Sequence, residues 1–323
     1  MLKRCSILFL ILLFAIAGFS VYAAPKQIII KAAHSMPTTY HYHDGIIRFA
    51  AVVKELSKGS MKVEIYPAGQ LGEERVTMEQ LKMGAIPIVL TGISDVYAPR
   101  TGVFILPFLF KDSAHTDRVL NGPIGREVYG DLLKHNMKML SVWENGFRQI
   151  SNNRRPINSV EDMKGLKIRV PESPVWMSTM KALGANPIPM PFAETATALA
   201  QGLVDGQENA LLHMLANKTY EVQKYIAVVN YMYGPAPLLV NVQWFNSLTK
   251  RQQKILLKAA KEGNKHMRAV CQQREKEAIT LFKKAGIGIT YPDLKGFRER
   301  AQKVHAEFAD KFGAKLIKRI INY

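Results

Sequence analysis

Cysteine is nearly absent from this chain of 323 residues: Cys5 and Cys271 are the only two. Cys5 lies ahead of an apolar run near the N-terminus and not at a cleavage position, so it does not mark a lipid-modified cysteine. With that run removed, Cys271 stands alone, which excludes an intrachain disulfide and any cysteine-built zinc site. His41 and His43 sit two apart with no second pair nearby, so no metal or other cofactor is implied. Neither G-x-S-x-G nor H-E-x-x-H occurs, which removes the usual signatures of an exported hydrolase and points away from an enzyme. Acidic residues are also short, at 26 Asp and Glu against 44 Lys and Arg, for a net charge of +18.

Long apolar runs are missing too, with one exception. Lys3 and Arg4 precede Ile7–Phe19, and Val21-Tyr22-Ala23 offers small residues for cleavage. Residues 1–23 read as a secretory signal peptide, cut after Ala23 or Ala24, and the product as a soluble exported protein. The alternative, a membrane anchor, needs a longer span than this run supplies. Most of the excess charge is at the other end: Lys250–Tyr323 holds 19 Lys and Arg against 7 Asp and Glu. A basic tail of this kind raises nucleic acid or an anionic membrane surface as partners. Export and the lack of interleaved aromatics argue against nucleic acid. Solvated faces of long helices account for the charge, and a weak contact with anionic lipid headgroups stays open.

What is present is a globular composition, 48% hydrophobic and 22% charged, in a chain long enough for two domains. Gln27–Ala33, Met61–Tyr66 and Ile86–Leu90 read as strands, separated by helical patterns at His43–Lys58 and Glu73–Met83. Strands alternating with helices at this spacing imply a largely parallel α/β sheet. A second unit follows: strands at Met137–Trp143, Arg148–Ser151 and Leu166–Val170, a helix at Val175–Leu183, an extended stretch at Pro187–Met190, a helix at Phe192–Gln201 and another extended stretch at Val204–Glu208. Ala98–Leu109 between the units is either an exposed lid or a buried connector. Thr249 and Gln252 match a capping box, and no proline interrupts the chain from there to Gly286, so a helix of about 35 residues and about 50 Å is predicted, long enough to brace both units. Leu294–Ile321 is a final helical region.

The segment Asn145–Glu172 puts Arg148 and Arg169 on two of these strands. A guanidinium is always charged and forked, so a pair of them on neighbouring strand ends forms an anion clamp. Arg169, between Ile168 and Val170, needs either an internal carboxylate or a bound anion, because an unpaired buried charge is costly. Arg148 has the same two readings, or orients Arg169. Asn209 follows a tight turn at a strand end, where it either satisfies turn backbone or faces a cleft. Phe192 is either core or cleft wall. Glu73 either complements a helix start or faces ligand. His41, Tyr42 and His43 precede the first helix, as surface loop or as ligand contacts.

Five stretches, in order, are PAGQLGEER (67–75), LPFLFKDSAH (106–115), RPINSVEDMKGLKIRVPES (155–173), ALGANPIPMPFAE (182–194) and GLVDGQEN (202–209). Together they resemble the solute-binding proteins of tripartite ATP-independent periplasmic (TRAP) transporters, the C4-dicarboxylate-binding family, over essentially the whole mature chain. The resemblance implies a two-domain α/β periplasmic solute-binding fold with a hinge, an interdomain cleft and a long bridging C-terminal helix. The implied domains are 24–146 with about 235–274, and 147–234 with about 275–323. It implies a periplasmic protein that captures a small organic anion and delivers it to small and large membrane permease subunits. Arg169 matches the arginine that pairs with the ligand carboxylate, Arg148 a second arginine, Asn209 a polar cleft residue, Phe192 an aromatic wall and Glu73 an acid that faces ligand hydroxyls. With Glu73, His41 and His43 nearby, a hydroxylated acid such as a uronate or other sugar acid is expected. A C4-dicarboxylate or sulfonate is the alternative ligand, and presentation of ligand to a sensor kinase is the alternative role.

Overall fold

The structure, a computed structural model, describes residues 27–323, so the expected signal segment lies outside the described residues. The three N-terminal strands are short apolar runs: β1 (Ile28–Ala33), β2 (Met61–Tyr66) and β3 (Ile88–Leu90). Helices α1 (His41–Leu56) and α2 (Glu74–Met83) return the chain between them, so β1 pairs in parallel with both β2 and β3. The second unit repeats the scheme with β5 (Lys167–Val170), β6 (Asn186–Pro189) and β7 (Gly206–Ala210), joined by α5 (Pro174–Ala182) and α6 (Thr195–Ala200). Helices α3 (Ser113–Leu120) and α4 (Pro123–Tyr129) precede this unit, and α7 (Leu211–Ala216) follows it.

Two long strands stitch the units into one sheet. β4 (Met137–Asn152) and β8 (Tyr225–Asn241) run antiparallel along their length, in the order β2-β1-β3-β8-β4-β7-β5-β6, with β9 (Gly288–Thr290) added to β8. The β3 contact uses the C-terminal end of β8, and the β7 contact uses the C-terminal end of β4. Each long strand therefore belongs to both halves of a two-domain α/β fold. The sequence shows β4 as two strands, because Glu144-Asn145-Gly146 has turn chemistry. It hides β8 altogether, because Pro235 and Pro237 speak against a central strand. The register shifts near Gly146, which sits at φ +114° and pairs with Gly234.

Alternation along the strands sorts the core onto two faces: Ile88, Leu90, Leu238 and Val240 point to one cluster, Val89 and Leu239 to the other. The first face is closed by α1 and by α9 (Lys250–Lys284), which follows the short α8 (Val242–Ser247). α9 begins at the predicted capping box: the Gln252 amide donates to Thr249 Oγ1 at 3.3 Å, and the Thr249 amide donates to Gln252 Oε1 at 2.9 Å. Its inward stripe, Leu256, Ala259, Gly263, Met267, Cys271, Ala278 and Phe282, follows helical spacing along both halves. A Cβ on Gly263 would lie 2.8 Å from the Trp143 ring, so the small residue sets how closely helix and sheet approach. The second face is covered by α10 (Lys295–Glu307), α11 (Ala309–Phe312) and α12 (Ala314–Ile321), together with Pro99–Ile105, whose Val103, Phe104 and Ile105 are buried. That run is a buried connector.

α9 crosses the sheet at the junction of the halves. Glu275 Oε1 lies 2.8 Å from where a Cβ on Gly146 would stand. Burial, with the Glu144 charge adding to it, lifts the Glu275 carboxyl from 4.5 to about 7. A raised folded-state value means the protonated form favours folding, so this contribution is complete below pH 4.5 and is lost as pH rises through about 7. Glu275→Gln should remove that part of the pH dependence. Urea midpoints at pH 5 and pH 8 would check it, and an unchanged difference between the two pH values would refute the assignment.

Candidate functional site, a buried arginine chamber between the halves

The ends of β4, β5 and β7 converge with the loops after β1 and β3 on a narrow chamber of about 50 Å³. The first half contributes Met36, Tyr42, Glu74, Gly92 and Ile93; the second contributes Arg169, Pro171, Trp176, Phe192, Asn209 and His213; Asn145, Arg148, Gly234 and Pro235 come from the long strands at the junction. An outer cavity of about 410 Å³ shares Glu74, Ile93, Arg169, Pro171 and Phe192 with it.

The two arginines have different partners. On the antiparallel β4–β7 pair, Arg148 opposes Ala210 and Ile150 opposes Glu208, so Arg148 and Glu208 are diagonal neighbours. Arg148 Nη2 donates to Glu208 Oε1 at 2.7 Å and Nε donates to Oε2, while Tyr231 Oη donates to Oε2 as well. Burial opposes the Arg148 charge, but the Glu208 carboxylate outweighs it and holds the guanidinium firmly protonated. The bidentate pair satisfies itself.

Arg169 has no such carboxylate. Its Nε and Nη2 both donate to the Met190 carbonyl, at 3.1 and 2.7 Å, and no acidic side chain lies within 4.0 Å among the described residues. The residue is 3% exposed. Burial, with the Arg148 charge acting in the same direction, lowers it to about 10 against the pull of Glu208 and Glu74, so it stays charged at neutral pH. Phe192 stands beside it, with the guanidinium carbon 5.8 Å from the ring centre.

The remaining polar groups of the lining are mostly neutral. His213 packs on Tyr40 and edge-on to Phe192, with centroids 4.6 Å apart in both pairs. Burial and then the nearby arginines push its pKa far down, so it is a neutral imidazole. Tyr42 Oη, Trp176 Nε1 and His213 Nδ1 are buried with no hydrogen-bond partner among the described residues. Asn209 Oδ1 accepts from the Ala210 amide at 3.1 Å, which orients its amide group. Glu74 Oε1 accepts from the Gly92 amide at 2.6 Å and from Thr91 Oγ1 at 3.1 Å, and burial raises its pKa.

The structure thus brings Arg148, Arg169, Asn209 and Phe192 together. It places Glu73 at the helix N-cap on the outer cavity, while Glu74, one residue on, reaches the chamber. His41 and His43 lie outside the chamber lining. The His41 ring donates through Nε2 to the Glu144 carbonyl at 2.7 Å, and His43 pairs with His34 at 3.3 Å. Of the three expected at the start of the first helix, Tyr42 reaches the chamber; sequence pattern missed Glu74, Trp176, Glu208 and His213. Only the Glu208-Asn209 dipeptide carried a usable signal, since strand alternation sends adjacent residues to opposite sides.

Residues 32–311 match the family described as bacterial extracellular solute-binding protein, family 7. The sialic acid-binding periplasmic protein SiaP of Vibrio cholerae is 36% identical over 275 residues, 84% of this chain and 85% of that protein. A TRAP periplasmic solute-binding protein of Polaromonas sp. JS666, solved with D-erythronate, is 33% identical with a TM-score of 0.88, covering 91% of this chain and 98% of that one. Another from Xanthobacter autotrophicus Py2, solved with β-D-galacturonate, is 33% identical with a TM-score of 0.86, covering 91% and 99%.

Glu208→Ala would strand a buried guanidinium at Arg148 and a phenol at Tyr231. A loss of about 3–5 kcal/mol in urea unfolding is expected. A loss below about 1 kcal/mol would mean that water already solvates the pair.

Proposed function

Because this chain belongs to the bacterial extracellular solute-binding proteins of family 7 and is a TRAP-type transport protein, we propose that it binds a small, hydroxylated monocarboxylate, such as a uronate or aldonate. One observation carries the ligand class: Arg169 is a buried, charged guanidinium that faces the chamber without a carboxylate of its own. A ligand carboxylate supplies the missing charge through a forked pair of hydrogen bonds. Arg148, fixed by Glu208, adds positive potential and orients the anion without spending its own fork on it.

The rest of the chamber suits hydroxyl groups. Tyr42, Trp176 and His213 offer unpaired polar atoms and Asn209 an oriented amide, while Phe192 provides an apolar wall. Glu74 favours hydroxyl donors and disfavours a second carboxylate, which weighs against a C4-dicarboxylate. In this reading the ligand role expected of Glu73 passes to Glu74, and His41 and His43 hold the frame.

Binding would close residues 24–146 and 235–274 onto 147–234 and 275–323, about a hinge at the paired Gly146 and Gly234. Only the ligand's stronger affinity for the closed form can drive that motion. After removal of residues 1–23 the protein would work in the periplasm, handing its ligand to the small and large membrane subunits of its transporter.

Thermal shift of the mature protein against galacturonate, galactonate, succinate and a sulfonate tests this, since a ligand that binds only the native state raises its Tm. Hydroxylated monocarboxylates should stabilise it, succinate and the sulfonate should not, and Arg169→Ala should weaken binding by about 100-fold or more. Silence from every acid after unfolding and refolding, or full affinity in Arg169→Ala, would sink the proposal.

A further inference from the structure

The first helix begins by gripping the junction of the halves. Tyr40, the N-cap of α1, and His41, its first residue, are both buried, and each reaches β4 at the two residues just before Gly146. Tyr40 Oη donates to Asn145 Oδ1 at 2.8 Å and lies 3.2 Å from the Asn145 carbonyl oxygen, while the His41 ring donates to the Glu144 carbonyl at 2.7 Å. Asn145 lines the chamber, and Tyr40 stands behind it. We infer that Tyr40 is a positioning residue for ligand binding: it holds the Asn145 amide with its N–H pair facing the chamber, so that the hinge end of the site donates to an oxygen of the bound acid. The inference rests on the sugar-acid reading above and adds a ligand donor and the residue that aims it.

A carboxamide has a donor end and an acceptor end, and which end meets a ligand depends on what engages the other. Burial holds the Tyr40 pKa well above the usual tyrosine value, so the side chain remains a phenol with one proton to give. Giving it to Oδ1 turns Nδ2 away from the hydroxyl, and that nitrogen makes no hydrogen bond among the described residues. The amide is also confined from across the ladder. A Cβ on Gly234 would stand 3.0 Å from Asn145 Cβ and 3.3 Å from Nδ2, so the glycine gives the amide its room. With Arg148 and Arg169 lining the same chamber, one more N–H pair adds to the demand for an acceptor oxygen. The Tyr40 ring is held independently of its hydroxyl: it packs on Tyr42 with centroids 4.9 Å apart and on His213, from the other half, at 4.6 Å. Removing the hydroxyl therefore keeps the packing and frees the amide.

Calorimetric titration of D-galacturonate and D-galactonate into the mature protein tests it, and whichever acid binds is carried to the variants. Asn145→Ala should weaken binding about 30-fold and Tyr40→Phe about 10-fold. In the double variant the loss should stay within about two-fold of that in Asn145→Ala, because a tyrosine that acts through the amide has nothing left to aim. Asn145→Asp keeps an acceptor for Tyr40 but sets a carboxylate toward the bound acid, and should cost at least about 100-fold. Asn145→Ser and Tyr40→Leu stand in for either partner of the cycle that does not fold. The same loss from Tyr40→Phe with and without the amide would mean that the tyrosine only supports the fold, and it overturns the inference. Unchanged affinity in Tyr40→Phe or in Asn145→Asp does so as well. Each of these outcomes leaves the sugar-acid reading standing, whereas silence of the wild-type protein toward both acids overturns the two together.

Discussion

A buried positive charge, with no carboxylate paired to it among the described residues, governs the centre of this molecule. Arg148 shows what full internal compensation looks like: a two-pronged pair with Glu208, reinforced by Tyr231. Arg169, close by, is left with a single backbone carbonyl. In a low-dielectric interior that difference is large, because an unanswered charge loses its hydration and gains little in return. The same pair that stabilises Arg148 also lends negative potential to Arg169, enough to keep it charged. Neutral His213 adds no competitor for it, and Glu74, engaged by the Gly92 amide and Thr91, makes no ion pair with it among the described residues. The junction is thus built to be completed from outside.

Completion from outside has mechanical meaning because the chamber walls come from both halves. Tyr42 and Glu74 stand on one side, Arg169, Trp176 and His213 on the other, and the continuous strands β4 and β8 run between. α9 spans the back along the same path, with Gly263 and Trp143 fixing its distance from the sheet. The ladder shifts register at Met139/Ser141, Glu144/Gly146 and Arg148/Ile150, and the middle shift adjoins the Gly146–Gly234 pair.

The sequence made much of this visible, and what it hid has physical causes. Parallel half-sheets were legible because buried strands and amphipathic helices alternate at short spacing. The 35-residue helix was legible because its capping box and unbroken stripe are local signals. β8 was not, since two prolines and a glycine mask a strand whose pairing is decided by tertiary neighbours. In the chamber, Arg148, Arg169, Asn209 and Phe192 stood out as polar or aromatic residues at strand and helix ends. Choosing between Glu73 and Glu74 needs the rotation of a helix first turn, which adjacent carboxylates do not reveal. His41 and His43 flank Tyr42, but at about 100° per residue a helix turns them in other directions than the tyrosine. His213 and Trp176 come from first turns of separate helices, and nothing local announces that they meet.

The threading of the long strands also bears on when the molecule can fold. β3 has its antiparallel neighbour in the last residues of β8, about 150 residues further along the chain. The N-terminal half-sheet therefore cannot be finished until the whole second unit has been made. Contacts of such long sequence separation form slowly, because a large loop must close before any pairing rewards it. Slow closure of this kind leaves the polypeptide open for longer than a chain of local contacts would be. With Cys271 free among the described residues, the finished sheet is held by that late, non-local pairing and by the cores on its two faces.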